Sequence, residues 1–496
     1  MKKIVRLMTI CLTLGLASCN SWLDVAQEDS VMEKDLFESL DGFKMALNGV
    51  YLNMNSSSSY GGAMTMGAVD VLAQYYDCSN IDHIYNSLQN FRYEEERPKS
   101  QFNSIWSSAY QQIAYLNAVI EHCDEDRSVL DDTYYGLIKG EALGLRALYH
   151  FDMLRLFGPL WSNKEADAIP YMTSSDRSIQ PLLPADTVVE LVLADLSEAA
   201  ALLRDIDPVI SEGGRNESGG DAGNDFYYRV YRMNYFAVQA LRARAALWKQ
   251  DYAGAKNYAV ETIQAATRDS LFRLYYSDYA STMSYDRIFE PEILFASYNS
   301  MRGDACYGTY FENDLGYTNI LGMAAGRAEN MYSPTDYRIT RWWEGNQSVE
   351  TDEHKFDLFV KYEELSPGGT TDTERWSRVR YMIPLFRLSE LYLIAAECIG
   401  IHEQNVAEAV EQYLNPLRQS RNEISLSPNI SATELRDYIE NEYICDFVGE
   451  GQTFFYFKRN ELSIIPNGAQ INGELPIEPT QYYVIPLPDS EMDQRE

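Results

Sequence analysis

The sequence predicts a mainly α-helical fold: paired helices form a scaffold, and a loop-rich, irregular subdomain adds minor β structure. Three observations point there. Apolar residues recur at helical spacing in five separate segments, short polar turns join helices into pairs, and the intervening stretches hold Gly, Pro and aromatic residues without a sustained period. At 496 residues the chain is long enough to bury a large core, and 46% hydrophobic with 23% charged residues is a globular composition.

The N-terminus reads as an address. Lys2, Lys3 and Arg6 precede the apolar run from Leu7 to Leu16, and Leu16-Ala17-Ser18 leads into Cys19. A basic start followed by roughly ten apolar residues is a secretory signal, too short for a stable spanning helix. The small residues before Cys19 resemble a bacterial lipobox. Residues 1–18 are therefore expected to be a lipoprotein signal peptide, Cys19 the acylated first residue, and 19–496 a single domain. Each buried acyl methylene contributes about 0.8 kcal/mol, so several chains make a durable anchor. No later stretch reaches the roughly 20 apolar residues of a spanning helix.

The first helical stripe is Trp106, Ala109, Tyr110, Ile113, Ala114 and Asn117, and the second Val192, Leu196, Ala199, Ala200 and Leu203. Ala255, Tyr258, Ala259, Thr262, Ile263 and Ala266 form the third, Leu388 to Ile399 the fourth, and Val406 to Leu417 the fifth. Residues 235–248 make a further helix that passes through Lys249-Gln250-Asp251 into the third stripe, with Asp251 as N-cap. This mix of Ala and aromatic residues in a helix–turn–helix is the tetratricopeptide pattern, here unevenly spaced. The scaffold is expected mainly over 35–55, 100–160, 186–268 and 380–460, and a loop-rich binding region mainly over 56–99 and 269–375. Residues 211–225 are Gly-rich and polar, a loop, and Tyr482 to Pro488 reads as extended.

Together these segments resemble the SusD/RagB family across nearly the whole chain. The resemblance rests on Trp106-x3-Tyr110-x2-Ile113-x3-Asn117, on Gly140-Glu141-Ala142-Leu143-Gly144-Leu145-Arg146-Ala147-Leu148-Tyr149-His150-Phe151, and on Phe157-Gly158-Pro159. It continues through Ala240 to Leu247, Arg387 to Glu397, Leu414-Asn415-x2-Arg418-x2-Arg421, Glu450-Gly451-x6-Lys458-Arg459 and Ile485-Pro486-Leu487-Pro488. Two departures mark a divergent member: Glu442 to Phe447 lacks the basic pair usual after the last helix's Glu, and Pro416 interrupts the Leu-Asn block. The resemblance implies an outer-membrane, surface-exposed lipoprotein that captures glycan and delivers it to a SusC-like TonB-dependent transporter. Peptide cargo, as in RagB-like relatives, is the alternative, and a surface glycoside hydrolase is a weaker one.

A net charge of −33 argues against nucleic acid, and against polyanionic glycans unless one local basic pocket overrides the field. The five His show no metal spacing, no Gly-x-Ser-x-Gly elbow occurs, and paired acids are uninformative among 74 carboxylates. Neither catalysis, nor a cofactor, nor a metal is expected. Glu141, Arg146, Arg387, Glu390 and Glu397 read as hydrogen-bonded struts between helices, and Asn117 as a satisfied interhelix polar group. Ligand binding is assigned instead to aromatics in the insertions: Tyr75, Tyr76, Tyr85, Tyr285, Trp342 and Trp343, with one of the adjacent tryptophans pointing outward because strand side chains alternate. Cys398 and Cys445 read as buried small hydrophobes.

Overall fold

A computed structural model describes residues 35–176, 178–214, 227–276, 285–349, 354–364, 376 and 379–495. The signal segment, Cys19 and most of the Gly-rich 211–225 stretch lie outside the described residues. The main helices are α1 (Leu40–Asn53), α2 (Glu96–Glu125), α3 (Asp132–Phe157), α4 (Ala185–Leu203), α5 (Tyr235–Trp248) and α6 (Tyr252–Ala266). After the irregular region come α7 (Leu388–Glu397), α8 (residues 406–420), α9 (Ala432–Asp446) and α10 (Thr453–Arg459). From α1 to α8 each packs on the next in chain order, the layering expected of helical pairs. All five predicted stripes lie on helices, and the Asp251 side chain caps α6 by accepting from Gly254 N at 3.0 Å. In α8 the turn widens over Ala409–Leu414, just ahead of Pro416. Proline cannot donate to, and clashes with, the carbonyl four residues back, and a wider turn makes room for it.

The central helix is α3, where every residue from Gly136 to Phe157 is buried. A helix buried all round needs neighbours on all sides, and glycines let them close in. A Cβ at Gly140 would lie 2.8 Å from Leu203 of α4, and one at Gly144 would lie 2.5 Å from the Met233 side chain. The apolar core built on this helix runs from Phe37 to Ile485 and includes both helices and insertions.

The irregular region holds short antiparallel ladders. Ile293–Tyr298 pairs with Met382–Arg387, while Lys355–Phe359 is flanked by Trp343–Ser348 and Met323–Ala324. Five cysteines, Cys78, Cys123, Cys306, Cys398 and Cys445, are free and buried.

The residues read as struts are struts. Arg146 grips Asp195 with two hydrogen bonds of 2.7 Å and donates to Asn117, whose amide donates in turn to the carbonyls of Met172 and Ser174. Glu390 takes a two-pronged Arg244, and Glu397 a two-pronged Arg459. Arg387 belongs to a larger cluster. Glu442 and Asp446 stand one turn apart on α9. Around them Arg338, Arg387, Arg418, Arg421 and Lys361 meet Glu292, Asp336 and Glu450. Arg421 reaches Asp446 at 2.8 Å and Arg387 reaches it at 2.9 Å. Glu442 and Asp446 thus supply the acids that these arginines need.

Burial alone would raise the Asp446 carboxyl, yet Arg387, Arg421 and Arg338 hold it well below the ordinary carboxylate range. A lowered folded value contributes stability above about pH 4, and that contribution is lost as pH falls through the folded value. Asp446→Asn keeps the shape and leaves the guanidinium groups short of one charge. Urea unfolding at pH 7 should show a loss of about 3–5 kcal/mol. The gap between variant and wild type should narrow below about pH 4; a constant gap would refute the ionic origin.

Candidate functional site

The structure corrects most of the predicted ligand contacts. Tyr75 and Tyr76 are fully buried. The Tyr75 hydroxyl donates to the Ile444 carbonyl at 2.6 Å and lies 2.6 Å from Thr453 Oγ1, while the Tyr76 hydroxyl reaches Asp70. Burial pushes both phenols well above their ordinary range. Tyr285 is buried too. Tyr85 is half-buried in a seam where Asp77 N donates to the Gly322 carbonyl and Ile84 N to that of Thr318.

Both tryptophans are inside, Trp342 at 0% and Trp343 at 5% exposure. The alternation rule fails because the pair straddles a junction. Trp342 ends the helix Tyr337–Trp342, and Trp343 opens the strand Trp343–Ser348. Trp342 packs against Phe289 with ring centres 5.1 Å apart, its indole N–H donates to the Arg287 carbonyl, and the Lys361 ammonium lies 4.0 Å from its ring centre. Trp343 packs on Phe359, its cross-strand partner. Burial lowers Lys361 to about 8 against the upward pull of Glu450.

Aromatic rings do converge elsewhere, in a hollow of about 360 Å³. Its walls come from three places: the last turns of α1 (Asn48, Tyr51, Leu52), the segment before α5 (Tyr227, Tyr228, Tyr231, Arg232) and the end of the strand Ile293–Tyr298 (Ser297, Tyr298). The floor is fixed by Arg229, wholly buried, which pairs with Asp207 at 2.9 Å and Glu141 at 2.5 Å. The other Glu141 oxygen accepts from the Tyr51 hydroxyl at 2.6 Å, and that hydroxyl accepts from Met233 N at 2.9 Å. Burial, then the Glu141 charge, pushes the Tyr51 phenol well up, so it stays a donor. The strut residue Glu141 thus also holds the floor of the hollow.

On the rim, Tyr298 is 44% exposed, and its carbonyl accepts from Asn55 Nδ2 at 2.8 Å. Tyr231 meets its ring edge-on at 5.1 Å, and Tyr381 at 5.3 Å. Leu52 adds an exposed apolar edge. The Arg232 guanidinium lies 4.7 Å from the Tyr51 ring centre. Such a concave surface offers ring faces, phenol hydroxyls, one amide and one cation, the equipment of a binding site. Among the described residues that line it, none is a carboxylate.

The cleft of about 380 Å³ beside α6 and α10 is less suited to stacking. Its Tyr252 ring is covered by His402, with ring centres 3.3 Å apart, and its Glu397 and Arg459 neutralise each other. Sequence reasoning missed the hollow. The available signal was the Tyr density of Tyr227-Tyr228-Arg229-Val230-Tyr231 beside the Gly-rich loop.

Two protein-family models match this chain. One, described as starch-binding and associating with the outer membrane, matches residues 21–209, and one for the SusD family matches residues 269–495. SusD-like protein P38 of Formosa agariphila is 24% identical, spanning 95% of this chain and 94% of its own length. SusD-like protein P2 of the same organism is 22% identical over 99% of this chain and 97% of its own. Among solved structures, a SusD superfamily protein from Bacteroides thetaiotaomicron superposes with a TM-score of 0.69 at 22% identity, covering 92% of this chain and 98% of its own. A SusD-like carbohydrate binding protein from Bacteroides vulgatus reaches 0.66 at 19% identity, covering 92% and 96%.

Trp342→Ala separates core from site. Removing this ring should lower unfolding stability by about 3–5 kcal/mol, the range for large buried aromatics. A variant that melts like wild type but loses ligand would restore Trp342 to the binding surface.

Proposed function

The chain belongs to the SusD/RagB family, and from that membership we propose that it is a cell-surface lipoprotein that captures oligo- or polysaccharide and delivers it to a SusC-like TonB-dependent transporter. The tyrosine hollow carries the reading. A sugar ring presents a face of C–H groups and a girdle of hydroxyls. Tyrosine answers both, with an apolar ring for the face and a phenol for the girdle. Arg229 and Glu141 hold the floor before any ligand arrives, so little ordering entropy opposes capture. The outer-membrane description of the matching family and the carbohydrate-binding description of a solved neighbour support the same cargo. Among the described residues no helix is long and apolar enough to cross a membrane, which suits attachment through an acylated Cys19. The reading requires binding and release, with no chemistry on the ligand and no cofactor.

Tyr298→Ala tests the site. The ring stands at the rim, so thermal melting should stay close to wild type. Affinity for oligosaccharide by calorimetric titration should fall roughly tenfold to hundredfold, borrowing the scale of base–aromatic stacking. Unchanged sugar affinity removes the hollow from the site, and selective capture from a peptide library in place of glycans replaces the cargo. Products accumulating on prolonged incubation would end the non-enzymatic reading.

Cys19→Ala tests the anchor. The variant should leave the membrane fraction for the soluble one. If it still fractionates with the outer membrane in cells lacking the transporter, acylation is not what holds it.

A further inference from the structure

We infer that the hollow takes an acidic sugar, with the carboxylate of a uronic acid residue seated on Arg232; this rests on the hollow being the glycan site proposed above. The chain carries 74 Asp and Glu against 41 Lys and Arg, so its cations are mostly claimed. Arg232 is not. It is half-exposed, its contact is the Tyr51 ring, and no described carboxylate lies within ion-pair reach of its guanidinium. Glu141 shares a narrow crevice with it behind that ring, but both Glu141 oxygens are already taken, one by Arg229 and one by Tyr51.

The lining of the hollow sharpens the point. The cleft beside α6 and α10 includes Glu397, Glu440 and Glu461, and the one near the C-terminus includes Glu94, Glu96 and Asp489. Among its described lining residues the tyrosine hollow has a guanidinium and no acid. A neutral glycan has no use for a charge kept unpaired, whereas a planar carboxylate matches the fork of an arginine with two parallel hydrogen bonds. The guanidinium lies over the Tyr51 ring, and no described side chain takes its N–H donors. The global charge of −33 opposes an incoming anion only at a distance. Salt screens such fields over about 8 Å at physiological ionic strength, so the nearest charges decide inside the hollow. The basic patch needed to override the overall field is a single residue.

The test uses the full mature chain and oligosaccharides of galacturonate, glucuronate and mannuronate, each beside its methyl ester, which keeps the ring and removes the charge. Calorimetric titration should show at least one acid bound roughly tenfold to hundredfold more tightly than its ester, the range of a charge-assisted hydrogen-bonded pair. Arg232→Gln should abolish that preference while the melting temperature holds, and Arg232→Lys should keep part of it. Raising salt should weaken the acid and leave the ester alone. Esters bound as well as acids in the wild type, or an acid preference that survives Arg232→Gln, overturns the inference and leaves glycan capture standing. Binding of neither form overturns the inference, and failure of neutral oligosaccharides to bind as well overturns glycan capture with it.

Discussion

Ten charged side chains, five cationic and five acidic, meet in the dry centre of this protein, and the rest of the fold is arranged around satisfying them. Such a cluster is weak evidence for extra stability, since desolvation cancels much of the attraction. It is strong evidence for a single arrangement. Glu292, Asp336, Lys361, Arg387, Arg421, Asp446 and Glu450 come from segments far apart in the chain, and leaving any one unpaired in a low-dielectric interior is costly. The scaffold helices α7 to α9 and the irregular insertion therefore settle together. The insertion has only short ladders of its own, and the ions supply the register that its backbone lacks.

The helical half of this architecture was legible in the sequence because a helix repeats its apolar face every 3.6 residues. The stripe from Trp106 to Asn117 and the Asp251 cap fell where spacing put them. The struts were legible for a related reason: a charge in an apolar stripe needs a partner, and Arg146 and Glu390 found theirs in Asp195 and Arg244. The site was not legible from aromatic placement. A tyrosine fits a core as well as a sugar, and only tertiary contacts separate Tyr75, tied to Thr453, from Tyr298 on the rim. Trp342 and Trp343 misled because their backbone changes from helix to strand between them. Arg232 carries no sequence signal that sets it apart from the arginines that are claimed.

The hollow and the scaffold share a residue, and that sets how the surface behaves. Glu141 lies on α3, the most enclosed helix, and its carboxylate fixes both Arg229 and the Tyr51 hydroxyl. The segment before α5 therefore inherits the rigidity of the central helix although it adjoins the Gly-rich stretch. A platform held this way positions ring faces before contact, and its selectivity resides in what stands at the edge.

That division between floor and rim has an evolutionary meaning. Asn48, Leu52 and Tyr298 sit where α1 and a strand reach the surface, with partly or largely exposed side chains. Substitutions at such positions usually shift stability by less than about 0.5 kcal/mol. Mutation can try new residues there almost freely, while Glu141 and Arg229 stay put because the interior fails without them. A lineage carrying this fold can change what the hollow accepts by rewriting a few rim positions, and the architecture beneath need never register the change.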